Sequence, residues 1–241
     1  MAIKTEDLRY SDGPTACNGF LAYDDAQVGK RPGILLVHEA FGLGPHVMER
    51  ARMIAELGYV AFAADLFGGR RQVGNMEEVM QVVGPMRENP AMLRARAKAA
   101  LSALAALPQV DAQKLFSIGF CFGGTTSLEL ARAGESLLGV VSFHGGLETA
   151  APAQKGAVKA SVLVCTGADD PLIPPEQRTA FEDEMRKAGA DWQLIAYGNT
   201  VHSFTNTAAD GSMMPGIKYH AETDKRSWRI MKDFFEERLK A

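Results

Sequence analysis

The stretch Leu115-Phe-Ser-Ile-Gly-Phe-Cys-Phe-Gly-Gly-Thr-Thr-Ser127 constrains the fold more than any other part of the chain. Phe116 to Phe120 is a β-branched and aromatic run that reads as a buried strand, and Ser127 to Ala133 has helical spacing. Between them lies Gly119-Phe120-Cys121-Phe122-Gly123. A backbone that passes from strand to helix within so few residues turns sharply. Side chains two positions to either side of Cys121 would keep strand and helix apart, which accounts for both glycines. The turn also aims the first N–H groups of the helix at any anion forming beside Cys121. Taken alone, the pattern equally suits a glycine-rich turn around a buried thiol. Partners elsewhere in the chain decide between the two.

The rest of the sequence alternates strands with helices. Leu8–Tyr10 and Gly19–Tyr23 read as short edge strands around the turn cluster Ser11–Pro14. Gly33–Val37 is a continuous apolar run, as expected of a strand covered on both faces. A helix starts at Pro45, with Val47, Met48, Ala51, Ile54 and Ala55 on one face, and stops at Gly58. His46 reads as a polar residue of its first turn. Tyr59–Ala64 is a strand ending at Asp65. Asn75 and Glu78 mark a short helix to about Val83, and Asn89-Pro90 starts a longer one to about Ala106. Strands follow at Leu138–Phe143, Ser161–Thr166 and Asp191–Tyr197. Helices run from Pro175 to about Lys187 and from Ala221 to about Leu239. The pattern implies a doubly wound, mostly parallel α/β sheet with helices on both faces, minimal or no lid, and one domain over residues 1–241.

Composition narrows the function classes. A chain of 241 residues, 46% hydrophobic, buries a sizeable core without staples. A net charge of −3 gives no electrostatic case for nucleic acid or an anionic membrane as partner. No apolar run approaches the roughly 20 residues of a membrane span. Cys17, Cys121 and Cys165 have no metal-ligand spacing, so neither a metal nor a disulfide framework is expected, and no cofactor is called for. The N-terminus has no basic-then-apolar signal pattern. A cytoplasmic location is expected, which would also keep a working thiol reduced.

Candidate partners for Cys121 follow at the ends of later strands, where open α/β sheets hold their sites. Asp169 and Asp170 follow Ser161–Thr166, and His202 follows Asp191–Tyr197. Asp170 is favoured over Asp169, because Pro171 restricts its backbone while Asp169 can cap the turn. A thiolate attacks, His202 exchanges the proton with the leaving group, and the aspartate fixes the imidazole tautomer. The backbone N–H groups of Phe122 and of Ala40, in the loop His38–Gly44 after the first central strand, would make an oxyanion hole.

The order nucleophile, acid, histidine is that of α/β-hydrolases, and the glycine-flanked Cys121 resembles their nucleophile elbow with cysteine in place of serine. Over nearly its whole length the chain resembles the dienelactone hydrolase family. The matching residues are His38–Gly42, Pro45 onward, Asp65–Phe67, Gly119–Gly124, Gly167–Asp170 with Pro174, and His202–Phe204. The resemblance implies a hydrolase of carboxylic esters or lactones that works through a thioester acyl-enzyme. It implies that Glu39 meets the resting thiol and takes its proton when substrate binds. It also implies that an arginine after Asp65-Leu-Phe, here Arg70 or Arg71, grips a substrate carboxylate. A second family arginine, shortly after the histidine, is missing near Thr205-Asn206. A dianionic lactone therefore loses its bidentate partner. A pocket around Phe41, Phe67, Phe122, His144 and Phe204 would suit aryl or short-chain esters. Activated phosphotriesters are an alternative substrate for the same groups, and a non-catalytic ligand-binding protein or a thiol sensor are alternative functions. A monomer or homodimer acting on a small molecule is the expected assembly.

Overall fold

The structure, a computed structural model, describes residues 2 to 240. Its centre is an eight-stranded sheet in the order β1-β2-β4-β3-β5-β6-β7-β8. The strands are β1 (Ile3–Asp12), β2 (Thr15–Asp24), β3 (Arg31–Val37), β4 (Val60–Ala63), β5 (Val110–Phe120), β6 (Gly139–Phe143), β7 (Ser161–Gly167) and β8 (Trp192–Tyr197). β1 and β2 form an antiparallel hairpin, and β2 runs antiparallel to β4. From β4 to β8 every neighbouring pair is parallel. The mostly parallel, doubly wound sheet expected from the strand–helix alternation is what the chain forms.

The helices are α1 (Pro45–Glu56), α2 (Met76–Glu88), α3 (Pro90–Ala105), α4 (Phe122–Arg132), α5 (Pro175–Ala188) and α6 (Ala221–Lys240). They cover both faces because the central strands carry apolar side chains on both sides of the sheet. Along β3, Leu35 and Val37 pack with α2 to α5, while Ile34 and Leu36 pack with α1 and α6. β5 does the same with Leu115 on one side and Phe116, Ile118 and Phe120 on the other. Alternation of side-chain direction in a strand turns one apolar run into two cores. Burying one Leu or Phe contributes about 1.5–3 kcal/mol, so no single position decides the architecture.

The edge strands β1 and β2 are ten residues each, longer than Leu8–Tyr10 and Gly19–Tyr23, and three elements nearer the site also differ from the sequence expectation. β5 starts at Val110 rather than Phe116, because Arg31 and Pro32 of β3 pair with Val110 and Asp111 ahead of a bulge. α2 continues through Pro85 to Glu88, and Asn89 then closes α2 and accepts from Met92 N–H at 3.2 Å as the cap of α3. α4 starts immediately after Cys121, not at Ser127. All of its residues are buried, so no polar face marks where the helix begins.

Candidate active site

Cys121 is the residue before the first turn of α4, with φ 54° and ψ −118°. A non-glycine residue in this region is strained, and the surroundings hold it there. Its N–H donates to Phe143 O at 3.0 Å and to Nδ1 of His144 at 3.1 Å. The flanking glycines leave room that a Cβ would fill. A Cβ on Gly119 would stand 1.9 Å from Gly123 O, and one on Gly123 would stand 2.1 Å from Val37 O. The two glycines exist because backbone passes against backbone at both places.

Loops after β7 and β8 bring an acid and a base to the same end of the sheet. Nδ1 of His202 donates to Oδ2 of Asp170 at 2.8 Å, and the other carboxylate oxygen accepts from Leu172 N–H at 2.8 Å. Asp170 is buried, whereas Asp169 is exposed and tied in only through its backbone. The acceptor-only carboxylate fixes the proton on Nδ1 and leaves Nε2 for another partner. That atom is buried and has no hydrogen-bond partner among the described residues. Burial would strip the proton from His202. The charge of a Cys121 thiolate and the bond to Asp170 outweigh it and push the imidazole up to about 10.

Cys121 and His202 line one cavity of about 200 Å³, together with Ala40, Phe122, Thr125 and Gly146. Its apolar wall comes from Met76, Val79, Met80 and Val83 of α2, with Leu172 and Ile173 opposite. The N–H groups of Ala40 and Phe122 make no hydrogen bond among the described residues. The second belongs to the first turn of α4, where helix N–H groups lack internal partners.

None of the other residues expected to contact substrate lines this cavity. Arg70 is turned away: Nη2 binds Asp7 at 2.7 Å and Gly19 O at 2.9 Å on the β1–β2 hairpin. The cause is Asp65, whose buried carboxylate accepts from the N–H groups of Asn18, Phe67, Gly68 and Arg70 and fixes the loop with its arginine outward. Arg71 does not line the cavity either. Arg70→Met is expected to leave ester turnover within about twofold of wild type, since exposed ion pairs are worth at most about 1 kcal/mol. A tenfold loss in steady-state kcat/KM would return Arg70 to the site.

His144 and Phe204 are fully buried behind the cysteine. His144 accepts from the Cys121 N–H at Nδ1, so its proton is on Nε2 and goes to Thr205 Oγ1 at 2.8 Å. Burial first, then the neighbouring His202, keeps this ring neutral, well below the ordinary histidine range. Phe204 packs edge-on against His144, and Phe67 packs edge-on against His38. Phe41 lines a neighbouring cavity with Glu39 and Asn206.

The expected contact between Glu39 and the thiol is also absent among the described residues. Glu39 accepts from both His46 Nδ1 at 3.2 Å and Asn206 Nδ2 at 3.0 and 3.1 Å. Burial would raise its carboxyl, but the bonds and charge of His46, with Asn206, hold it below the usual range. His46 is therefore more than a polar first-turn residue. It bridges Glu39 to Thr205 O at 3.1 Å and lies edge-on to Phe120. Asn206, at the place of the missing arginine, neutralises nothing but occupies both carboxylate oxygens.

The sequence reading missed Arg87 and the apolar face of α2. Met76, Val79, Met80, Val83 and Arg87 recur at spacings of three and four, so the signal was present once the helix is carried past Pro85.

The family model described as the dienelactone hydrolase family matches residues 17–239. A solved structure titled m3DLH is 47% identical, with a TM-score of 0.95, covering 98% of this chain and 99% of that one. A dienelactone hydrolase-like promiscuous phosphotriesterase from metagenomic libraries is 44% identical, with a TM-score of 0.93 and the same coverage. A Yersinia pestis protein named "Putative carboxymethylenebutenolidase" is 27% identical over 228 residues, which span 90% of this chain and 82% of the relative. The chain belongs to the dienelactone hydrolase family.

Proposed function

We propose that the protein hydrolyses carboxylic esters or lactones with Cys121 as nucleophile, His202 as proton carrier and Asp170 as its orienting partner. One observation carries this reading. His202, bonded to Asp170 through Nδ1 with its Nε2 unpartnered among the described residues, lines the same small cavity as the strained cysteine. The Cys121 thiolate attacks the carbonyl carbon, and the negative oxygen is received by the N–H groups of Phe122 and Ala40. The C–O bond then breaks, His202 Nε2–H protonates the departing alkoxide, and a thioester remains. Water, losing its proton to Nε2, attacks the thioester and releases the acid and the thiol. The apolar walls from α2, Leu172 and Ile173 favour aryl or short-chain esters over a dianionic lactone.

The raised His202 pKa sets the pH dependence. With its proton held to about pH 10, the imidazolium of the free enzyme persists across the neutral range, and kcat/KM for an alkyl ester, whose alkoxide needs that proton, should decline as pH approaches that value. Asp170→Asn removes a charge that raises the pKa, so the alkaline limb moves to lower pH, and kcat falls by about 10⁴. A kcat/KM–pH profile on an alkyl ester, with kcat measured alongside, tests both. An unchanged limb with near-wild-type kcat would remove Asp170 from the reaction.

A second reading is favoured by the 44% identical phosphotriesterase relative. The same thiolate would attack phosphorus in an activated aryl phosphotriester, expel the aryloxide, and leave a thiophosphoryl-enzyme for water to cleave. Release of aryloxide from a diethyl aryl phosphate, lost in Cys121→Ala, would support it. Release that persists in that variant would reject it.

A further inference from the structure

We propose that His38 is a positioning residue for the oxyanion hole: its ring holds the carbonyl of Glu39 and so turns the N–H of Ala40, at the other end of the same peptide unit, into the cavity beside Cys121. The proposal rests on the hydrolase reading above. His38 follows β3 directly, is fully buried, and does not itself line that cavity.

Both ring nitrogens are spoken for by backbone. Nδ1–H of His38 donates to Glu39 O at 2.7 Å, and Nε2 accepts from Leu66 N–H at 3.2 Å. A ring that accepts at Nε2 carries its hydrogen on Nδ1, so the second bond fixes the tautomer that the first one needs. Burial lowers the pKa of His38 and favours this neutral form. Gly42 N–H donates to the same Glu39 carbonyl at 3.2 Å. The described residues contain no cis peptide bond, and in a trans unit the C=O and N–H point opposite ways. Fixing Glu39 O on the His38 side therefore fixes Ala40 N–H on the other. Ala40 lines the cavity with Cys121 and Phe122, and its N–H has no partner of its own among the described residues.

Rotation of this one peptide unit about its flanking bonds would exchange the two groups. A carbonyl oxygen would then stand where the negative oxygen of the reaction forms. The Glu39 side chain does not oppose that rotation from the cavity side, because its carboxylate is bound to His46 and Asn206. His38 is also tied to the elbow. Phe67 packs edge-on against its ring at 4.8 Å between centroids and lies 6.4 Å from Phe122, the residue of the second donor. A Cβ on Gly123 would stand 2.8 Å from His38 O, so loop and elbow meet backbone to backbone.

The test separates an aimed N–H from an intact fold. His38→Leu removes both ring nitrogens, whereas His38→Asn keeps an N–H donor near the place of Nδ1. Both leave Leu66 N–H without its acceptor. The readouts are kcat/KM on phenyl acetate, inhibition by an alkyl trifluoromethyl ketone, and alkylation of Cys121 by iodoacetamide. With the ketone, sulfur adds to the carbonyl carbon and the C=O electron pair becomes an oxyanion, with no leaving group. With iodoacetamide, a C–S bond forms, iodide leaves and no oxyanion develops. His38→Leu should lower kcat/KM and ketone affinity about 10- to 100-fold, somewhat less than loss of a whole donor, with alkylation within about twofold of wild type. His38→Asn should recover most of the loss. Unchanged ketone affinity in His38→Leu, an equal loss in alkylation, or an Asn variant as impaired as the Leu variant overturns the role. Nitrogen NMR of the His38 ring in wild type needs no variant to fold: a proton on Nδ1 is expected, and a proton on Nε2 overturns the role. Failure of the hydrolase reading looks different. Wild type that releases no phenol yet forms the ketone adduct sinks that reading alone, and the effect of His38→Leu on the adduct still decides. Wild type that does neither overturns both.

Discussion

Cys121→Ala is expected to lower ester turnover by at least about 10³-fold, while the protein unfolds at nearly the same temperature as wild type. The size of the loss follows from the division of labour proposed above. His202 and Asp170 act only through the sulfur, so removing it disables the whole unit. The fold has little stake in the thiol, which caps no helix N–H with its side chain. Cys121→Ser is the more informative partner variant. A thiolate supports the high His202 pKa through its charge, and a neutral hydroxyl does not. The serine enzyme should therefore recover only part of the lost rate and should show an alkaline limb at lower pH than wild type. Wild-type turnover in Cys121→Ala would remove the cysteine from the chemistry.

Gly119→Ala should produce the largest loss of stability of any one-methyl change in the elbow. The new Cβ would meet Gly123 O at 1.9 Å, Gly123 C at 2.1 Å and Gly124 N at 2.6 Å, all of them backbone atoms in a buried strand–helix turn. No rotamer relieves a backbone clash, so β5 and α4 must move apart. A cost of at least about 4 kcal/mol is expected. For a chain of this size, that is a fall of about 10 °C or more in Tm. Gly84→Ala is the control. It lies within α2 with open space around its Cβ position, and the gain in helix propensity is opposed by the restriction that Pro85 places on the residue before it, so a change of less than about 1 kcal/mol is expected. Equal behaviour of the two variants in thermal unfolding would contradict the packing account of the elbow.

The parts of the molecule that were legible in the sequence are those in which local pattern and tertiary role coincide. Apolar runs such as Gly33–Val37 read as central strands because both faces are covered, and the crowding in the elbow forces its glycines. The pairing of Asp170 rather than Asp169 with His202 agreed with the restriction imposed by Pro171. Contacts between distant loops were not legible. Glu39 meets Asn206, 167 positions later, and Thr205 O receives His46 from 159 positions earlier. No periodicity encodes such pairs.

Arg70 was misread because an arginine in a glycine-rich loop looks free, whereas four N–H groups converging on Asp65 decide which way that loop points. The apolar wall was expected in kind but assigned to phenylalanines near the motifs. Most of it comes instead from α2, a helix legible in the sequence whose apolar face carries no motif that ties it to the site. Where a residue is both buried and hydrogen-bonded to the elbow, as His144 is, its position at a strand end resembles that of a pocket residue and only the structure separates the two.

The central claim is that an acyl group passes through the sulfur of Cys121. Acid quenching of the protein during turnover of 4-nitrophenyl acetate, followed by mass spectrometry of the peptides, tests this directly. The account predicts the mass of one acetyl group on the peptide containing Cys121, its disappearance as substrate is exhausted, and no such adduct in Cys121→Ala. A transient acetyl group on any other side chain, with Cys121 unmodified while turnover continues, would contradict it.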